Sequence, residues 1–299
     1  MGLKLCRGCE QTLPLSAFSL NRSRKDGHEY RCRECEKGRK KGPQHDPQPL
    51  PLPEQPLESG ILIPDCHIPN HNVRAWGVTL RAAMKIKPKY VVVLGDFADA
   101  ETLSAHPATA PGETDFGREV DEVKHCLDQL DALGASRKIY IEGNHEFRLD
   151  RYLMERAPAL FRCIRWQNAL ELHRRGWDWV PYRKSTKIGK LHLTHDTGSA
   201  GLNAHRASAK AFGGSSVIGH THRMSYEVTG RFDGTPYLAA MLGWLGDAEK
   251  AAGYIHEAKA SDWVHGFGVF YLEPSSGVVH VQPVPIVNGR CVVQGQLVD

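Results

Sequence analysis

Five short apolar, β-branched runs recur after residue 59, and each ends in polar residues with chemical uses. GILIP (60–64) leads into Asp65-Cys66-His67, and YVVVL (90–94) into Gly95-Asp96. KIYIE (138–142) leads into Gly143-Asn144-His145-Glu146, KLHLT (190–194) into His195, and SVI (216–218) into Gly219-His220-Thr221-His222. Runs of this length and composition predict core strands. Between them, Val73, Trp76, Leu80 and Met84 follow a 3–4 spacing, as do Val120, Val123, Leu127 and Leu130, which predicts two helices. Strands alternating with helices predict an α/β sheet, in which sites form beyond the carboxyl ends of the strands. From Phe267 to Val293 the runs are short and alternating, broken by Pro-Ser-Ser-Gly and Asn-Gly, and predict antiparallel hairpins. If strand geometry carries through the last polar block, His220 and His222 lean to one side, and Cys66 points away from Asp65 and His67.

The N-terminal part reads differently. Gly42–Pro56 has six prolines in fifteen residues, a composition that cannot pack as helix or central strand. It divides the chain into a small unit (1–42), a linker (43–58) and a large domain (59–299). The basic charge sits in the first piece: residues 1–42 carry 11 Lys+Arg against 5 Asp+Glu, the remainder 27 against 29. No stretch approaches the ~18 apolar residues of a membrane span. The start of the chain lacks the apolar core of a signal peptide, and Cys6 breaks the myristoylation pattern. A cytoplasmic protein is expected.

The five strand ends pool two aspartates, one asparagine and four histidines, a set that borderline divalent ions accept. Seven protein ligands exceed one mononuclear site and suit two ions sharing a carboxylate, which can clamp both oxygens of a phosphoryl displacement. In this arrangement residues 60–225 resemble the calcineurin-like metallophosphoesterase family. Its signature of D-x-H, G-D-x-x-D, G-N-H-[DE], a lone His and G-H-x-H stands here in order as Asp65–His67, Gly95–Asp99, Gly143–Glu146, His195 and Gly219–His222.

The resemblance implies a four-layer α/β/β/α sandwich. It implies that Asp65, His67 and His222 hold one ion, that Asn144, His195 and His220 hold the other, and that Asp96 bridges them. A metal-bridging hydroxide would attack phosphorus, and His145 would serve the leaving oxygen. Asp99 and Glu146 would orient ligands. Manganese leads as the metal, with iron, zinc or nickel as alternatives. Two departures stand out. Asp99 is followed by Ala100-Glu101 rather than Arg-Gly, which counts against the protein-phosphatase branch, and the lone His195 is followed by Asp196 rather than Gly. Arg148 and Arg223 lie just beyond ligand blocks and could meet substrate phosphate; a solvated surface position is the competing reading, and His106 and His205 are softer candidates still.

Cys6-x2-Cys9 and Cys32-x2-Cys35 have the spacing of a closed four-cysteine zinc site, whose metal would supply most of the stability of so small a unit. The segment resembles small zinc modules of phage-encoded proteins, often ahead of HNH-type nucleases. Phe18 and Tyr30 are expected in its miniature core, and its cations suit a phosphate backbone; a protein partner is the alternative. The reading is a metal-dependent phosphodiesterase, a nuclease tethered by its zinc module, in a bacterial or phage-infected cell. A phosphomonoesterase and a non-catalytic adaptor are the alternatives.

Overall fold

A computed structural model of the chain describes residues 2–40, 56–104, 115–251 and 262–299. His106, Lys41 and most of the proline-rich segment lie outside the described residues. By internal contacts the chain divides into two compact units, Met1–Glu54 and Gln55–Asp299. The first has two small antiparallel pairs, β1 (Leu3–Leu5) with β2 (Thr12–Pro14) and β3 (Phe18–Leu20) with β4 (His28–Cys32), then helix α1 (Arg33–Lys40). Phe18, Cys6 and Cys32 form its buried centre.

The second unit is built on two sheets. The first has parallel strands β5 (Glu58–Ile63), β6 (Tyr90–Val93), β7 (Arg137–Ile141) and β8 (Trp177–Val180). The second contains β9 (Thr186–Ile188), β10 (Leu191–Thr194), β11 (Ser216–Ile218), β12 (Met224–Thr229) and β13 (Tyr237–Leu242), in the order β12-β13-β11-β10-β9. The hairpin β14 (Gly266–Leu272) and β15 (Val279–Pro285) extends the first sheet from β5, and β16 (Cys291–Val293) pairs with β17 (Gln296–Val298). Among the described residues the unit's α-helices are α2 (Val73–Ile86), α3 (Phe116–Asp131), α4 (Phe147–Arg156), α5 (Trp166–Ala169), α6 (Ala204–Phe212) and the short α7 (Ala248–Ala251).

Strand alternation separates the cores. Ile61, Ile63, Val91 and Val93 face α2 and α3, where Trp76, Val78, Leu127 and Leu130 meet them. Their neighbours Leu62, Val92 and Leu94 face the other sheet and pack on Leu191, Leu193, Val217 and Leu242. Ala204 of α6 covers Ile218 and Met241 on the far side. The result is the α/β/β/α sandwich, and successive residues of one strand serve different layers.

The 3–4 positions of α2 are only partly inside: Trp76 is buried and Leu80 packs against the core. Val73 and Met84 are exposed, at 71% and 65%. The buried face is Ala75, Trp76, Val78, Thr79, Ala82, Ala83 and Ile86. Small residues let the helix lie close on the sheet beside Trp76, and Val73 and Met84, the two ends of the 3–4 stripe, fall on its outer face. The stripe of α3 is buried as its spacing predicts, with Val120, Val123, Leu127 and Leu130 all inside.

Glu119 in the first turn of α3 is 4% exposed; Thr102 Oγ1 donates to its Oε2 at 3.2 Å, and Oε1 has no hydrogen-bond partner among the described residues. Burial, helped by the charge of Asp99, pushes its carboxyl up to about 7. A raised carboxyl binds its proton more tightly folded than unfolded, so this stabilisation is complete below the ordinary glutamate range and is lost as pH rises through about 7. Glu119→Gln is therefore expected to leave stability unchanged at pH 4 and to raise it at pH 8 by on the order of 2 kcal/mol, read from urea unfolding at the two pH values.

Candidate active site

The donor residues lie where β5, β6, β7, β10 and β11 end, but not on the strands themselves. β5 stops at Ile63 and β11 at Ile218, so Asp65, His67, His220 and His222 occupy the turns beyond. Asp65, His67, Asp96, His220 and His222 have φ of 33°, 54°, 47°, 67° and 59°. Non-glycine residues in the left-handed region cost of order 1–3 kcal/mol each and persist where the surroundings over-determine them. The expectation that strand alternation aims His220 and His222 is thereby corrected: left-handed turns aim them, each toward a different cluster. Cys66 is fully buried and away from the donors, but it too lies beyond the strand.

Asp65, His67 and His222 form one cluster, with donor atoms within 4.8 Å of one another. His67 Nε2 lies 3.0 Å from His222 Nε2, which is 3.6 Å from Asp65 Oδ1. Two nitrogens held ~2.0–2.1 Å from one ion at roughly 90–110° stand about 2.9–3.4 Å apart, so the pair has ligand spacing. Asp96, His195 and His220 form the second cluster. Asn144 Oδ1 joins it, 2.9 Å from His195 Nε2 and 2.8 Å from His220 Nδ1. Asp96 Oδ2 is 3.3 Å from His195 Nε2 and 3.9 Å from His145 Nε2.

Backbone and carboxylate partners set the rings. The Leu94 carbonyl accepts a hydrogen bond from His195 Nδ1 at 2.9 Å, turning Nε2 toward Asn144. Asp99 Oδ1 lies 3.2 Å from His67 Nδ1 and 2.6 Å from His145 Nδ1, so one carboxylate orients both imidazoles and leaves both Nε2 atoms facing the site. Asn70 Nδ2 donates to the other oxygen of Asp99 at 2.7 Å. Arg148 donates through Nη1 to the Asp99 carbonyl at 2.9 Å and sets Nη2 3.0 Å from His145 Nε2.

Glu146 is fully buried and ties two motif turns together. It accepts from the amides of Asp96 (3.0 Å), Phe97 (2.7 Å), Ala98 (2.9 Å) and Gly143 (2.9 Å), and from Tyr140 Oη (2.9 Å). A Cβ on Gly143 would lie 2.1 Å from Asp96 Oδ1, so only glycine lets β7 end against this aspartate. Asp65 accepts from the His220 amide with both oxygens, at 2.8 and 3.0 Å.

Burial would lower His195, but the Asp96 carboxylate raises it to about 10. Burial pushes Asp65 up to about 7 against the charge of His195. Burial would also raise Asp96, yet His195 and His145 hold it well below the carboxylate range. Burial and the adjoining His67 hold His222 well below the imidazole range. The buried carboxylates lean on protonated imidazoles for positive charge, which a divalent cation would supply in a donor set of this kind.

Asp196 is buried at the same end, with Oδ1 accepting from Gly198 N at 2.7 Å and Oδ2 without a partner among the described residues. Arg223 turns aside: it pairs through Nε with Asp262 and donates to the Ala200 carbonyl at 3.2 Å. His205 is buried on α6 near Glu227, apart from both clusters. Motif reading had no signal for two tryptophans from distant segments. Trp244 stacks on His222 at 4.8 Å and Trp263 meets it edge-on at 4.2 Å, forming an aromatic wall.

In the N-terminal unit the four sulfurs of Cys6, Cys9, Cys32 and Cys35 lie within 4.8 Å of one another. Cys6 Sγ and Cys35 Sγ are 3.8 Å apart, far beyond a disulfide and equal to the spacing of two sulfurs ~2.3 Å from one tetrahedral zinc. Burial would raise the Cys6 thiol, but amide hydrogen bonds from Cys32, Cys9 and Gly8 bring it down to about 6. Hydrogen bonding to Cys32, with burial, pushes Cys35 up to about 12. Tyr30 is corrected from the expected core: it is 38% exposed, with the Arg7 and Arg24 guanidiniums each 4.3 Å from its ring centroid. Cys9→Ser is expected to abolish the thiolate-to-cobalt absorption of cobalt-loaded protein and to lower zinc content by about one ion per chain.

No protein-family model matches the chain. It is 28% identical over 259 residues to the Gene 54 protein of Mycobacterium phage L5, covering 79% of this chain and 97% of that protein. The Gene 54 protein of Mycobacterium phage D29 is 27% identical over 262 residues, with the same coverage. Solved structures with partial likeness include a Vps29 single mutant from Entamoeba histolytica (14% identity, TM-score 0.43, 81% of this chain and 98% of that one). Pseudomonas putida nuclease MPE is another (16% identity, TM-score 0.32, 79% and 99%). The functional reading rests on the side chains.

Proposed function

We propose that this chain is a dinuclear metal-dependent phosphodiesterase acting on nucleic acid. The observation that carries the reading is the pair of adjoining donor clusters, Asp65/His67/His222 and Asp96/His195/His220 with Asn144, at ligand spacing in strained turns. When bound, two divalent ions would supply Lewis acidity toward a phosphoryl oxygen and a nucleophile at neutral pH. Asp65, His67 and His222 would hold one ion, Asn144, His195 and His220 the other, and Asp96 would touch both. His145, anchored by Asp99, would protonate the leaving oxygen through Nε2 once a substrate phosphate oxygen draws Arg148 Nη2 off that nitrogen. Arg148 fixes a positive charge beside that nitrogen, where a phosphate oxygen would be drawn. Trp244 and Trp263 would limit water on the His222 side. The basic four-cysteine unit would raise the local concentration of a polyanionic substrate.

The test is hydrolysis of bis-p-nitrophenyl phosphate and p-nitrophenyl phosphate by metal-stripped protein reloaded with Mn²⁺. The diester is expected to be preferred by about tenfold or more in kcat/KM. A reversed preference would make the chain a monoesterase. No turnover of either ester with manganese, iron, zinc or nickel would leave it a scaffold.

A further inference from the structure

Two clefts of about 390 and 520 Å³ meet at Tyr182 and Arg183. The smaller reaches Asn144 and is bordered by Arg148 and Arg151; the larger reaches His220 and is bordered by Lys184. Since Asn144 Oδ1 and His220 Nδ1 are 2.8 Å apart, the clefts flank one metal cluster from two sides. Arg148 and Arg151 lie one turn apart on the first turns of α4, whose positive end adjoins His145. Arg148 is committed to Asp99 and His145. Among the described residues, Arg151 and Lys184 have no side-chain hydrogen bond or ion pair, and the Arg183 guanidinium lies 5.3 Å from the Tyr182 ring centroid. Tyr182 is itself anchored, its amide donating to Glu142 Oε2 at 2.8 Å and its ring tilted on Phe147. The one carboxylate lining the clefts among the described residues, Asp196, is buried, while Arg151, Arg183 and Lys184 are exposed at the rim.

Uncompensated cations around a mostly acidic-and-imidazole floor have a chemical meaning. The floor would take the scissile phosphate, and the rim has charge left for the phosphates beside it. We propose that Arg151, Arg183 and Lys184 form a track for the flanking phosphates of a single-stranded nucleic acid. The strand passes over Tyr182, on the Asn144–His220 flank and away from the tryptophan wall. The donors at the floor are buried, with Asp96 and His195 both 1% exposed, so the backbone must dip inward to react. A flexible single strand does so without unpairing a duplex. This rests on the phosphodiesterase reading and assigns the residues that would set its substrate class.

The test uses the full chain and the double variant Arg151→Gln/Arg183→Gln. Binding of a fluorescein-labelled oligothymidylate to protein as purified, without added Mn²⁺, is followed by anisotropy over a salt series. Losing two phosphate contacts is expected to flatten the slope of log K against log[salt] by about 1.4. With Mn²⁺, KM for the oligonucleotide is expected to rise about tenfold or more, with kcat within about twofold. An unchanged slope and KM overturns the track, as does a wild type that hydrolyses bis-p-nitrophenyl phosphate but neither binds nor cuts the oligonucleotide. Absence of all turnover with the slope change intact would instead fail the phosphodiesterase reading and uphold the track.

Discussion

Asp96→Asn is expected to lower kcat/KM for a phosphodiester by about 10³-fold or more while the protein stays folded. The two oxygens of Asp96 have separate tasks. Oδ1 accepts from the His145 amide at 2.8 Å, and an asparagine oxygen can keep that bond. Oδ2 faces His195 at 3.3 Å and His145 Nε2 at 3.9 Å, and there the amide replaces a negative charge with a donor. Both proposed ions lose a shared anionic ligand. A loss of several kcal/mol of transition-state charge stabilisation corresponds to about 10³ in rate. The checks are steady-state kinetics and bound manganese per chain, expected to fall from about two ions to one or fewer. Unchanged turnover would remove Asp96 from the reaction.

The second large effect is on stability. Glu146→Ala deletes a carboxylate that satisfies four backbone amides and the Tyr140 hydroxyl, all buried. Each orphaned buried donor costs about 1–3 kcal/mol, so the sum is on the order of 5 kcal/mol, enough to unfold a marginal domain. Part of that loss would be recovered where water enters the gap. Glu146→Gln keeps one acceptor oxygen and is expected to cost about half as much. Urea unfolding of the two variants measures the difference. A Glu146→Ala protein as stable as the wild type would mean that the turns after β6 and β7 hold without this clamp.

Much of the site was legible because the donors sit at ends of apolar runs, and an apolar run that breaks into Asp, His or Asn is visible without coordinates. The two donor clusters contain the residues that the motif blocks named. Less legible was how they converge. His220 and His222 read as the end of a strand, yet left-handed backbone after β11 is what aims each of them, and no periodicity encodes that. The buried face of α2 was legible only at Trp76, because alanines and Thr79 complete it while the larger Val73 and Met84 point outward. Strands β8, β9, β12 and β13 were not singled out. Their apolar residues alternate with charged or polar ones, or carry small residues such as Ala239 and Ala240. Arg223 lay beside a ligand block in sequence but pairs with Asp262, a partner 39 positions away. Trp244 and Arg183 likewise reach the site from turns whose proximity only the assembled sheets create.

The measurement closest to the central claim is digestion of a 5′-labelled single-stranded oligonucleotide by the full chain, stripped of metal and reloaded with Mn²⁺, beside His145→Ala treated in parallel. The wild type is expected to give a ladder or mononucleotide products, the variant at least about 10²-fold less, and neither any product without metal. An oligonucleotide that stays intact while p-nitrophenyl phosphate is consumed would contradict the claim and make the chain a phosphomonoesterase.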